Sequence, residues 1–126
     1  MELEMKLNKN NIKLTDLFKL DQNFGTLFDY NASIIYENCK EMQINFDSKI
    51  NKLILKKCSN INININGLIS GLEIDKSHDI IITAKNNSSF NNILITNSYD
   101  IILKSSNDKT KNTFIEVDKS KKISFC

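Results

Sequence analysis

IIYENCKEMQINFD, residues 34–47, and LILKKCSNININING, residues 53–67, carry one pattern: two apolar residues stand two apart before a cysteine, and two more stand two apart after it. Anchored at Cys39 and Cys58, the pattern recurs around Ser77, Ser98 and Ser120, with spacings of 19, 19, 21 and 22 residues. Five before, three before, three after and five after the anchor stand Ile34, Tyr36, Met42 and Ile44, then Leu53, Leu55, Ile61 and Ile63. The later repeats supply Leu72, Ile74, Ile80 and Ile82, then Ile93, Ile95, Ile101 and Leu103, then Ile115, Val117, Ile123 and Phe125. All twenty positions are apolar in a chain that is 40% apolar overall, so composition alone does not produce the register. Alternation at period two marks strands, and the step at the anchor marks a tight corner between them. Ile50, Ile69 and Phe90, eight before their anchors, mark a third corner or strand.

One such unit cannot bury its inward face alone, whereas stacked copies build a continuous core. Hairpins would need turn dipeptides between consecutive strands, and Asn66-Gly67, the one Asn-Gly pair, falls between repeats. The expected fold is all-β: a right-handed parallel β-helix of about six coils, spaced about 4.8 Å apart, with an irregular N-terminal cap. Residues 1–126 read as a single domain, with 1–31 a cap or incomplete coils and 32–126 the regular coils. In the cap, Met5, Leu7, Ile12 and Leu14 suit an incomplete coil, and Phe18, Leu20 and Phe28 a distorted second one centred near Asn23. Thr15 to Leu20 also suits a short capped helix. The polar run from Ser105 to Asn112 reads as a loop. The chain stops inside a strand at Phe125 and Cys126, leaving a sheet end for a second protomer to cover.

Composition excludes several classes. Proline, tryptophan and arginine are absent and all seventeen basic residues are lysine, as in a chain written by an AT-rich genome. A net charge of +2 without an aromatic stacking platform argues against a nucleic-acid partner. No 18-residue apolar run or signal peptide stands in the sequence, so no membrane partner and a cytoplasmic location are expected. There Cys39 and Cys58 are expected to be packed thiols in a ladder of small corner side chains. Metal-ligand clusters and phosphate-binding glycine loops are absent from the sequence, and no cofactor is expected.

Catalytic groupings are sparse. Ser77, His78 and Asp79 stand in consecutive letters, whereas triads converge in space from separate segments; His78 is expected to be a solvent-facing turn residue. Glu73 and Glu116 share an outward position two coils apart, close to the separation of paired glycosidase carboxylates. Leu94 stands between them, and short turns offer no walls for a sugar cleft. The outward columns point instead to contact surfaces. Four before the anchor stand Ile35, Ile54, Glu73, Leu94 and Glu116; four after it stand Gln43, Asn62, Ile81, Ile102 and Ser124. Large aliphatics exposed side by side mark a partner site. Lys57, Lys76 and Lys119 form a basic corner column, with Glu41, Asp79 and Asp100 three residues on.

The stretches at 34–47 and 53–67, with ISGLEIDKSHDIIITAKNNS (69–88) and ILITNSYDIIL (93–103), resemble the C-terminal β-helix domain of cyclase-associated proteins, the actin-monomer regulators. The coil style also resembles that of tubulin-binding cofactor C, whose GTPase-activating domain works through an arginine that this chain lacks. The resemblance implies a non-enzymatic module that binds ADP-loaded monomeric actin and promotes nucleotide exchange. The candidate contacts are Lys57, Lys76, Ile35, Ile54, Ile81 and Ile102. It also implies a homodimer through the C-terminal strands, with Phe114, Val117, Ile123 and Phe125 as candidate dimer residues. The alternative is a β-helix scaffold that binds tubulin or a small GTPase without catalysis. A third hypothesis, a carbohydrate-acting enzyme, rests on Glu73.

Overall fold

Each repeat becomes two strands and a corner in the computed structural model, which describes residues 11–24, 32–86, 88–105 and 114–126. The strands are β1 (Asn11–Thr15), β2 (Phe18–Phe24), β3 (Ser33–Glu37), β4 (Lys40–Phe46), β5 (Ile50–Lys56) and β6 (Ser59–Ile65). They continue as β7 (Leu68–Asp75), β8 (His78–Ala84), β9 (Asn92–Thr96), β10 (Tyr99–Ser105), β11 (Phe114–Asp118) and β12 (Lys121–Phe125). Odd strands form one parallel sheet in the order β1-β3-β5-β7-β9-β11, and even strands a second, β2-β4-β6-β8-β10-β12. The two-residue alternation thus builds a β-solenoid with six rungs among the described residues, each giving one strand to each sheet. No helix among the described residues is long and apolar enough to cross a membrane.

The corner repeats its backbone as faithfully as the strands do. One residue before the anchor, Asp16, Asn38, Lys57, Lys76, Asn97 and Lys119 all have φ between 50° and 58°. Two residues after it, Lys19, Glu41, Asn60, Asp79, Asp100 and Lys122 have φ between 52° and 56°. A left-handed residue on each side of the anchor reverses the pleat twice, which is why two outward residues separate the anchor from each inward neighbour. Side chains with a Cβ pay about 1 kcal/mol at such positions, so the corner persists only because neighbouring rungs satisfy its polar groups.

The accounting is complete in the middle of the stack. The N–H before the anchor donates to the next rung, as from Lys57 to the Asp75 carbonyl at 3.0 Å and from Lys76 to that of Thr96 at 3.1 Å. The N–H after the anchor donates back, as from His78 to the Cys58 carbonyl at 3.1 Å. The anchor N–H of Cys58, Ser77 and Ser98 donates to the hydroxyl of the next anchor, at 3.0, 3.1 and 3.0 Å. Each of these hydroxyls in turn donates to the carbonyl two residues before it, at 2.8–2.9 Å. Small hydroxyl anchors therefore satisfy donors that a buried corner would otherwise orphan. Cys58 keeps the geometry with its Sγ 3.3 Å from the Lys56 carbonyl oxygen.

Sixteen of the twenty inward positions are buried, the four of the last rung being the exception. The first four rungs add an inward residue seven after the anchor: Phe24, Phe46, Ile65 and Ala84, all buried. Near the start of the corresponding rungs stand buried Ala32, Ile50 and Leu68; the rung of Ala32 ends in the large Phe46 and that of Leu68 in the small Ala84. The rings of Phe24 and Phe46 stack at 5.1 Å between centroids.

Two expectations are corrected. Residues 11–24 are neither a helix nor a distorted coil centred on Asn23; they form a regular rung with its corner at Asp16 and Leu17, in register with β3 and β4. Leu17 occupies the anchor position and Gln22 an inward one, and Gln22 Oε1 accepts the hydroxyl of buried Tyr36 at 2.7 Å. Met5, Leu7, Phe28 and the polar run 106–112 lie outside the described residues. At the third corner, Ile50 and Phe90 are buried as expected, but Ile69 is exposed and Leu68 takes the inward place. β7 carries one extra residue against β5, shifting the register between Ile50 and Lys52. Gly71 follows the irregularity with φ of 139°, where a Cβ would collide with the Asn92 carbonyl oxygen.

Candidate functional site

The strand registers settle which candidate residues meet. On the outer face of the odd-strand sheet the pairing runs Lys13, Ile35, Ile54, Glu73, Leu94, Glu116. On the outer face of the even-strand sheet it runs Asp21, Gln43, Asn62, Ile81, Ile102, Ser124. Ile35 and Ile54 are therefore neighbours on the second and third rungs of one face. Ile81 and Ile102 are neighbours on the fourth and fifth rungs of the other. The anchor corner, with Lys57 and Lys76 exposed in left-handed backbone, separates the two pairs. All four isoleucines are half-buried rather than exposed as expected, because side chains stacked at rung spacing cover one another's flanks.

The chemistry each face can perform follows from what its charges touch. Glu73 and Glu116 do line one hollow with Leu94, Lys52 and Phe114, of about 230 Å³. Lys52 ion-pairs directly with Glu73, so one of the two carboxylates is already engaged by a cation of its own sheet. The Ser77 hydroxyl is buried in the corner ladder and donates to the Asp75 carbonyl at 2.9 Å, away from any base. Burial pushes the Cys58 thiol up to about 11, and raises Cys39 as well; a thiol held protonated is a poor nucleophile. Among the described residues no group of three His, Cys, Asp or Glu side chains converges to hold a metal ion.

The even-strand face carries the larger hollow, about 700 Å³, lined by Asp79, Ile81, Asp100, Ile102 and Lys122 among others. On the neighbouring corner His78 and Tyr99 are register partners whose rings stack at 4.8 Å and 2°. His78 Nδ1 lies 2.8 Å from Asp79 Oδ2. His78 is thus half-exposed, as expected of a solvent-facing residue, but ordered by two neighbours. Asp100 was grouped with Asp79 from the sequence, whereas Tyr99 was not singled out, although it shares the offset of His78 from the preceding anchor.

The last rung is different in kind. Val117 and Phe125 are inward-column residues, yet they are 42% and 48% exposed, and Ile123 is half-buried. Ile115 belongs with them at 41% and was missing from the candidate dimer set. Phe114 is more exposed still and stands on the outside of the odd-strand sheet, in register with Asn92. The apolar end layer and Phe114 are therefore adjacent in sequence and separate in aspect.

Comparison with known proteins follows the same outline. The family model described as adenylate cyclase associated (CAP) C terminal matches residues 4–125. Among solved structures, the chain is similar to the crystal structure of cyclase-associated protein from Cryptosporidium parvum. The TM-score is 0.75 at 15% sequence identity, over 94% of this chain and 71% of that one. At that identity the likeness establishes the fold. No curated protein sequence matches.

Proposed function

The chain belongs to the adenylate cyclase associated (CAP) C-terminal family, and from that membership we propose that it binds the ADP-loaded actin monomer in the cytosol and promotes exchange of its nucleotide. The match over residues 4–125 carries this reading. The geometry supports a binding role: two outer faces bear paired aliphatics, Ile35 with Ile54 and Ile81 with Ile102, on either side of a corner that presents Lys57 and Lys76. A binder needs no reacting group to speed exchange. It has only to bind the nucleotide-free or open form of its partner more tightly than the ADP form, since linkage then weakens ADP by the same factor. We assign dimerisation to the exposed end layer, with Val117, Ile123 and Phe125 joined by Ile115 and flanked by Phe114. That layer is apolar, uncovered and continuous with the core.

The test is release of a fluorescent nucleotide from ADP-actin monomers in excess ATP, with and without the protein at micromolar concentration, alongside its mass by light scattering. The expected outcome is faster release by a dimer. Unchanged release together with no actin binding overturns the reading. Binding to tubulin or a small GTPase in its place selects the scaffold alternative.

A further inference from the structure

The hollow on the even-strand face joins two carboxylates to an aliphatic floor, and we propose that it docks a partner segment in which a lysine or arginine neighbours a large aliphatic side chain. The inference stands on the groove itself and holds whether or not actin is the partner.

Two features of the groove agree on that chemistry. Its floor is aliphatic: Ile81 and Ile102, paired across β8 and β10 and half-buried, leave an apolar strip about one rung wide. Its corner side is acidic: Asp79 and Asp100 occupy the same position in successive rungs, both locked in left-handed backbone at φ 56°. Asp79 is shared with His78, whereas Asp100 is half-buried and has no hydrogen-bond or ion-pair partner among the described residues. A half-buried carboxylate without a cation is the feature of this face that a ligand cation improves most. The whole chain carries +2, so two adjacent carboxylates beside an aliphatic strip invert the local sign. Lys122, next in the Asp79 and Asp100 column, lines the same hollow without pairing to either acid, and it opposes the cation that the groove attracts.

The experiment uses the full chain with labelled isoleucine methyl groups, titrated with short acetylated peptides. One alternates lysine with leucine, one glutamate with leucine, and one lysine with serine. The lysine–leucine peptide is expected to shift the Ile81 and Ile102 methyl signals. Asp79→Asn with Asp100→Asn should weaken it about tenfold, the loss expected for removing close charge pairs. Asparagine tolerates left-handed backbone, so this variant keeps the corner, and its unchanged spectrum checks that. Lys122→Gln should tighten binding about two- to threefold, a gain that a purely structural role for the column does not produce. Equal binding of the glutamate or serine peptide, shifts confined to other isoleucines, indifference to the carboxylate changes, or no binding at all would each overturn the proposal.

Discussion

Ile74 and Val117 occupy the same position of the repeat, three residues before a serine anchor, yet one is 1% exposed and the other 42%. Their rungs share strand register, corner backbone and hydroxyl anchor. What differs is the number of neighbours: Ile74 has a rung on both sides and Val117 on one. The sequence pattern specifies the cross-section of a rung, whereas burial is a property of the stack.

The largest effect that separates the two regions is a deletion of core volume. Ile63→Ala, in the middle of the stack, is expected to cost about 2–5 kcal/mol of unfolding free energy. Val117→Ala is expected to cost well under about 1 kcal/mol in dilute solution, because its side chain is already half in water. Denaturant melts of both at low and high protein concentration sharpen the contrast. A Val117→Ala penalty that grows with concentration means that a second copy covers the end layer. Equal penalties at every concentration would break the distinction between middle and end.

A smaller difference is expected at the anchors. Ser98→Ala leaves the buried Ser77 N–H without its acceptor, for an expected loss of about 1–3 kcal/mol. Ser120→Ala removes the acceptor for the Ser98 N–H at a corner only partly closed to solvent, where water substitutes, and should cost less. Thermal melts of the pair decide the order, and a Ser120→Ala loss equal to that of Ser98→Ala would count against the ladder as the reason for small hydroxyl anchors.

The smallest effect at neutral pH concerns the thiols. Burial raises Cys58 in the folded state, so its contribution to stability is full below the unfolded thiol's range, near pH 8.5–9, and is lost as pH climbs toward about 11. Cys58→Ala should flatten that alkaline decline in a pH series of melts. A colourimetric thiol reagent at pH 8 should label exposed Cys126 at once, and buried Cys39 and Cys58 only as the chain unfolds. Prompt labelling of all three would show that the middle rungs open as readily as the end.

The same contrast explains what the sequence made legible. Inward alternation and a near-constant period sufficed for the β-solenoid and for the buried columns from Ile34 to Leu103. The first rung escaped because its anchor is Leu17 and an inward place is filled by Gln22. That polar residue is tolerable only because Tyr36, which pairs with it across the interior, supplies a hydroxyl. Ile69 was read as marking the third corner, and nothing in the apolar pattern distinguishes it from Leu68, which takes the inward place; the register shift beside Gly71 does. The outward columns were correct as columns. Their assembly into one contact surface was not, since the offsets of minus four and plus four belong to different sheets, and the left-handed corner between them leaves no mark in hydrophobicity. Asn, Asp, Glu and Lys fill those left-handed positions without a single glycine.

The corner ladder also governs how the molecule comes apart with time. Each rung is held by donors and acceptors that it exchanges with the next, so the last rung has partners on one side only. Were it to detach, Ile101 and Leu103 would become the new uncovered layer, as apolar as the one lost. Fraying from the C-terminal end therefore meets no better-protected stopping point until the stack is spent. Occupancy of that single surface layer therefore acts as a clock for unzipping from the C-terminal side.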